Sequence, residues 1–270
     1  MRYQQIQAPE HLKNHIRYFW TLESDSLHTS AQQFTTIADG CPGLIFQHAD
    51  YGKLSQFDKK MPGLCLYGQT TKYAQISLSG RFNTIGVYFY PSVLRSVFGI
   101  SADELTDSCI DMNLLPGIQA NFESQLLQAV SVPQKVSILS ACIAQQIKLN
   151  NKANDSLSQF ALLQIIGSKG IIPLSDLQQN LKLSERSFER RFKQYVGISP
   201  KLFSRICRFQ SSLSQLRSND YDKLTDVAYQ NEYADQSHFI RAFKEFAGVS
   251  PYQYQKKSNE IVENLAAMNN

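Results

Sequence analysis

The 270-residue sequence predicts an α+β chain. An antiparallel β barrel or sandwich over residues 1–115 leads through a helical connector over 116–156. An all-α region over 157–257 and a short tail over 258–270 complete it. Three observations predict this order. Short β-branched and aromatic runs fill the first part, helical spacing of apolar residues takes over after about residue 119, and residues 187–251 contain the same segment twice.

The strand candidates are Ile16–Leu22, Leu44–Gln47, Leu64–Tyr67, Ala74–Leu78 and Thr84–Tyr90. Turn dipeptides separate them: Asp39-Gly40, Pro42-Gly43, Tyr51-Gly52, Pro62-Gly63 and Ser79-Gly80. Pro91 opens a short helix, Ser92–Phe98, because a first-turn residue needs no N–H. Phe122, Leu126, Leu127 and Val130, then Val136, Leu139, Cys142, Ile143 and Ile147, recur at helical spacing, with Pro133 dividing two helices. The stripe Leu139, Ile143, Ile147 suits either burial against the first domain or pairing of two chains. Asn150–Asp155 is polar and turn-rich, as a linker is.

The repeat is the strongest signal. Ser187–Pro200 reads SFERRFKQYVGISP and His238–Pro251 reads HFIRAFKEFAGVSP, 51 residues apart. A shorter amphipathic helix precedes each, Leu174–Leu181 and Thr225–Glu232. Ser184 and Asp235 suit N-caps, Gly197 and Gly248 suit the left-handed residue past a helix end, and Ser-Pro then starts the next helix. At ~100° per residue, Phe188, Phe192 and Tyr195 share one stripe, as do Phe239, Phe243 and Phe246. The opposite arcs carry Arg186, Glu189, Arg190 and Lys193, and Ser237, Ile240, Arg241 and Lys244. Each copy therefore has the form of a helix-turn-helix whose second helix can enter a DNA major groove. Residues 200–217 form one connecting helix of ~27 Å, long enough to hold two such helices about one DNA turn, ~34 Å, apart.

Charge follows the same division. Residues 1–156 hold twelve Lys/Arg and twelve Asp/Glu, whereas residues 157–257 hold fifteen and nine. A neutral first part and a +6 second part fit a chain in which one region meets a polyanion. The polar start lacks the apolar core of a signal peptide, and no run approaches the ~20 apolar residues of a membrane helix, so a cytoplasmic location without a membrane partner is expected. Five cysteines, odd in number and never spaced C-x-x-C, fit reduced thiols.

Enzymatic readings find little support. His11, His15, His28, His48 and His238 contain no H-x-H or HExxH, so no metal or cofactor is expected. Gly63–Thr70 (GLCLYGQT) mimics a phosphate-binding loop but has Gln69 in place of the lysine. The rival from another class is a β-barrel metalloenzyme fused to a DNA-binding domain. An architectural DNA binder and a regulator controlled by a protein partner are the others.

The segment DVAYQNEYADQSHFIRAFKEFAGVSPYQY resembles the AraC/XylS family of transcription regulators through Asp235, Ser237, Phe239, Arg241, Phe243, Gly248 and Pro251. The resemblance covers residues ~157–256. It implies seven helices holding two helix-turn-helix units on a long connecting helix. Lys182 and Glu232 depart from it, standing in turns where the family usually has Gly, and Gln178 stands where Ala is common. HIRYFWTLES, ADGCPGLIF, LYGQTTKY and NTIGVYFYPSVLRSVFGISADELTD resemble a less common sensor domain on some of these regulators. An acidic residue often follows the DGC turn there, where this chain has Gly43, and arginines are common where Tyr88 and Tyr90 stand.

The resemblance assigns base reading to Arg186, Glu189 and Arg190 in the first copy and to Gln236, Ser237, His238 and Arg241 in the second. Arg suits guanine O6/N7, Gln suits adenine N6/N7, and Glu can accept from cytosine N4. Lys193, Lys201, Arg205 and Lys244, with Arg208, suit phosphate. The expected function is sequence-specific regulation of transcription without catalysis. Double-stranded DNA is the expected partner. The sequence also admits a small-molecule effector in the first domain, RNA polymerase and a second copy of the chain.

Overall fold

A computed structural model describes residues 2–24, 32–48, 54–56, 59–78, 81–150, 155–256 and 261–262. The expected turns at Tyr51-Gly52 and Ser79-Gly80, His28, the middle of the linker and most of the tail lie outside the described residues.

The N-terminal region is two sheets rather than a closed barrel. Strands β1 (Arg2–Gln7), β2 (Ile16–Ser24), β3 (Gln32–Thr36), β4 (Gly43–Gln47), β5 (Leu54–Gln56), β6 (Lys59–Lys60), β7 (Leu64–Tyr67), β8 (Ala74–Leu78), β9 (Phe82–Phe89) and β10 (Cys109–Asp111) form it. One sheet runs β1-β2-β9-β4-β7-β10, all antiparallel. The other runs β3-β8-β5-β6, and β11 (Ile261–Val262) joins its β3 edge in parallel. Each expected strand is present. Strands β1, β3, β5, β6 and β10 are additional to these; β1 is a polar edge strand, RYQQIQ, whose composition hides it.

Alternation along the strands of the large sheet sorts side chains onto two faces. Phe19, Leu44, Phe46, Leu66, Ile85, Val87 and Phe89 face one way and are buried with residues of the connector. Trp20, Leu22, Ile45, Cys65 and Tyr88 face the other and meet Leu54, Met61 and Ile76, which come from or adjoin the second sheet. Trp20 and Gly86 are cross-strand partners. The indole lies directly on Gly86, and a Cβ there would collide with the ring. A glycine in mid-strand is explained by that close approach.

Helix α1 (Val93–Ser96) follows β9, and α2 (Phe122–Gln128) and α3 (Val132–Leu149) form the connector. Pro133 sits in the first turn of α3, capped by Ser131. Leu139 and Ile143 are fully buried in the core of the large sheet. That stripe is therefore used within the chain. Asn150 donates to the Arg95 and Ser96 carbonyls, fastening the end of α3 to α1.

Seven helices follow: α4 (Ser156–Gly167), α5 (Leu174–Leu181), α6 (Glu185–Val196), α7 (Pro200–Ser218), α8 (Leu224–Gln230), α9 (Gln236–Ala247) and α10 (Pro251–Lys256). They share one core, dominated by Phe188, Phe192, Phe203, Phe209, Phe239, Phe243 and Phe246. Ile37 and Ala38 of the β region belong to this core too. No helix among the described residues is long and apolar enough to cross a membrane.

Candidate DNA interface

Each repeat folds as its local chemistry requires. In the first unit the Ser184 hydroxyl accepts from Ser187 N–H at 3.3 Å and starts α6. In the second the Asp235 carboxylate accepts from His238 N–H at 2.7 Å and starts α9. Gly197 (φ +104°) and Gly248 (φ +77°) end these helices in the left-handed region. Ser199 and Ser250 cap the helices that follow.

The correspondence extends beyond sequence identity. Lys182 and Glu232, which replace the usual turn glycines, have φ of +53° and +52°. Lys169 and Asn219, at the ends of α4 and α7, have φ of +55° and +51°. Side chains at these four positions sit in a conformation that costs roughly 1–2 kcal/mol. The turns demand this geometry whatever residue occupies them.

The aromatic stripes are internal. Phe188, Phe192, Tyr195, Phe239, Phe243 and Phe246 are all nearly inaccessible. Phe192 meets Phe203 with ring centroids 5.8 Å apart, and Phe209 meets Phe243 and Phe246 at 5.2 and 5.3 Å. The connecting helix α7 thus supports both units. Its 19 residues span about 28 Å at 1.5 Å each.

The opposite faces are solvent-facing. Arg186, Glu189, Arg190 and Lys193 on α6 are exposed, as are Gln236, Ser237, Arg241 and Lys244 on α9 and Lys201 on α7. None of the five arginines and lysines on α6 and α9 just named forms an ion pair among the described residues. His238 is half-buried. Its Nδ1 lies 3.4 Å from the Ala234 N–H, and its ring meets Tyr233 edge-on.

Other basic residues have structural partners. Arg205 pairs with Glu245 at 2.5 Å and lies over the Phe246 ring. Arg208 donates to the Glu232 and Gly170 carbonyls at 3.3 and 3.2 Å, bracing the turn of the second unit. Arg191, which the sequence did not single out, grips Asp155 through two hydrogen bonds of 2.8 and 3.1 Å. That pair holds Asp155 below the usual carboxylate range, with the Ser158 N–H and hydroxyl contributing.

The β region meets both recognition-type helices at their C-terminal caps. Thr106 donates to the Gly197 carbonyl at 2.7 Å, and the buried Gln69 side chain lies against Gly197 while donating to Pro91 O. The Ser92 side chain stands beside the Tyr195 hydroxyl. At the other cap, the Ala38 N–H donates to Phe246 O at 3.0 Å, and the Tyr73 ring packs on Gly248. Gln210 of α7 donates to Ala38 O. Gln69 and Tyr73 belong to one loop, joined to the 37–41 loop by Thr70, which donates to Asp39 at 2.8 Å.

Between β region and α7 lies a cleft of about 840 Å³. Arg17, Tyr18, Asp39 and Tyr88 line one wall and Cys207, Gln210, Ser211 and Ser214 the other. The Arg17 guanidinium lies over the Tyr88 ring, whose hydroxyl donates to Asp39 at 2.9 Å. Burial pushes the Asp39 carboxyl up to about 6, against the pull of these hydrogen bonds. No group of three or more His, Cys, Asp or Glu suited to a metal occurs among the described residues.

Comparison with known proteins agrees with the architecture. Residues 177–257 match a family model described as a helix-turn-helix domain, and residues 4–111 match one described as a domain of unknown function (DUF6597). An uncharacterized HTH-type transcriptional regulator of Haemophilus influenzae is 31% identical over 83 residues, covering 31% of this chain and 28% of that protein. The HTH-type transcriptional regulator MtrA of Neisseria gonorrhoeae is 35% identical over 78 residues, covering 29% of this chain and 26% of it. The matches thus span less than a third of the length of these relatives. Among solved structures, ToxT from Vibrio cholerae aligns over 87% of this chain and 97% of its own at 16% identity, with a TM-score of 0.45.

Proposed function

We propose, from the premise that the C-terminal region is an AraC-type helix-turn-helix domain, that the chain is a sequence-specific, DNA-binding transcription regulator of the cytoplasm. One observation carries this: two helices with buried aromatic backs present, on exposed fronts, cations that form no ion pair among the described residues, and each is capped in the same way.

In this function residues 157–257 bind DNA, 1–115 form a sensor and 116–156 connect them. Arg186, Glu189, Arg190, Gln236, Ser237, His238 and Arg241 read base edges in two successive major grooves. Lys193, Lys201 and Lys244 neutralise phosphates. Arg205 reaches phosphate on release from Glu245, so its contribution is smaller. The mechanism is binding, not catalysis. A ligand in the 840 Å³ cleft touches both regions and would bias how the caps at Gly197 and Gly248 are held. RNA polymerase and a second copy of the chain are the protein partners this role admits.

Selection of bound fragments from genomic DNA by the full chain, followed by band shifts, tests the proposal. A shared sequence should emerge, bound at least 10³-fold more tightly than scrambled DNA. Equal affinity for target and scrambled DNA overturns it.

A further inference from the structure

Cys65 and Cys109 stand 44 residues apart in the chain but on neighbouring strands. The register of β10 on β7 sets Asp111 opposite Cys65 and Cys109 opposite Tyr67. The two cysteines therefore share a face as diagonal neighbours, close enough that each thiol influences the ionisation of the other. Cys65 is wholly buried and Cys109 partly exposed. The neighbouring Cys65 thiol lowers the Cys109 thiol, while the same neighbour and burial push Cys65 up. Burial raises the other three: Cys41 and Cys142 to about 11 and Cys207 to about 12. Of the five thiols, one is thus both solvent-reachable and lowered toward its thiolate, and it stands beside a second.

Their place in the fold gives the pair a lever. Strand β7 runs directly into the loop of Gln69 and Tyr73. Strand β10 directly follows Thr106, which holds the Gly197 carbonyl. Gly68 N–H donates to Ser108 O, and Asp107 N–H to Gln69 O, so the two segments are laced together just beyond the cysteines. Strand β10 is an edge of its sheet and is held on one side only.

We propose that Cys65 and Cys109 form a redox-active pair that peroxides oxidise to a disulfide, and that this bond alters the grip of the β region on the first helix-turn-helix unit. The Cys109 thiolate attacks the distal oxygen of a hydroperoxide: an S–O bond forms, the O–O bond breaks, and the alcohol leaves with a proton. Cys65 sulfur then attacks Cys109 sulfur: the S–S bond forms, the S–O bond breaks, and water leaves carrying the Cys65 proton. Two thiols and one peroxide give one disulfide, one alcohol and one water. Diagonal strand partners have Cα atoms about 7–8 Å apart, whereas disulfides prefer about 5.5–6 Å. Closing the bond therefore draws β10 along β7 and moves Thr106 with it.

The effect on DNA rests on the function proposed above; the disulfide does not. The test treats the reduced full chain with hydrogen peroxide at pH 6, 7 and 8, then maps peptides without reduction and measures band shifts on the same samples. A linked Cys65–Cys109 peptide should form faster at pH 8 than at pH 6, following the thiolate fraction. Dithiothreitol should reverse it, and half-saturation on the selected DNA should move severalfold. Cys109→Ser should abolish the link, and Cys65→Ala should leave a dimedone-reactive sulfenic acid on Cys109. Both variants should bind DNA normally in reductant, which shows that they fold. Prior modification of Cys41, Cys142 or Cys207, or no link at tenfold excess peroxide, overturns the pair. A link with unchanged DNA affinity overturns the coupling. A link in a chain that binds no specific DNA in either state counts against the regulator function and leaves the thiol chemistry standing.

Discussion

The two helix-turn-helix units share caps, left-handed turns and aromatic backs, yet the β region holds them differently. The first is gripped by side chains: Thr106 on the Gly197 carbonyl, Gln69 buried against the same glycine, Ser92 on Tyr195. Among the described residues the second is held by the backbone hydrogen bond from Ala38 to Phe246, by Ile37 and Ala38 in the shared core, and by Tyr73, which is 44% exposed. Duplication has fixed how each unit folds, and the sensor has fixed how firmly each is anchored. The first unit is positioned by the β region, and the second has more freedom to follow DNA.

Removing the shared core should erase the difference. Phe192→Ala and Phe243→Ala, both fully buried, should each cost about 3–5 kcal/mol in full-chain thermal or urea unfolding. Similar losses are expected because both rings serve one core.

The glycine caps should separate the units. A Cβ at Gly197 meets Gln69 and, at 3.0 Å, the Ala102 carbonyl; for one at Gly248 the nearest atoms are those of the Tyr73 ring, at 2.8 Å. Backbone cannot step aside as an exposed ring can. Both alanine variants carry the left-handed penalty of about 1–3 kcal/mol, and Gly197→Ala should lose more than Gly248→Ala in the same melt. Equal losses would mean that the two anchorages are equivalent.

On DNA, Arg186→Ala and Arg241→Ala should each cost about 1–3 kcal/mol of discrimination, at different halves of the site. Competition band shifts with half-site variants read this out. Smaller still, Lys182→Gly and Glu232→Gly should each stabilise the chain by about 1 kcal/mol, since glycine is at ease at φ near +50°. Lys193→Ala and Lys244→Ala should each flatten the salt dependence of binding by about one unit without changing sequence preference.

What the sequence revealed was what is local. Caps, turns and stripes repeat within about fifteen residues, so SFERRFKQYVGISP and its echo carry their own geometry. The strands were legible where they are buried and β-branched, as in TIGVYFY, and not where an edge strand is polar, as in RYQQIQ. The anchorage was hidden because it joins segments far apart: Thr106 to Gly197, Ala38 to Phe246, Gln210 to Ala38. The cysteine pair was hidden likewise, since spacing along the chain says nothing of which strand β10 pairs with. Arg205 and Arg208 looked like phosphate ligands by charge and position. Their ion pair and carbonyl contacts are tertiary facts.

The indole laid on Gly86 is the chain's one tryptophan, and it lies wholly within the β region. Its emission therefore reports on that half of the molecule alone, while helical circular dichroism is dominated by the other. Recorded together through a melt, the two signals would reveal whether the halves come apart in one step or in succession, with no label introduced.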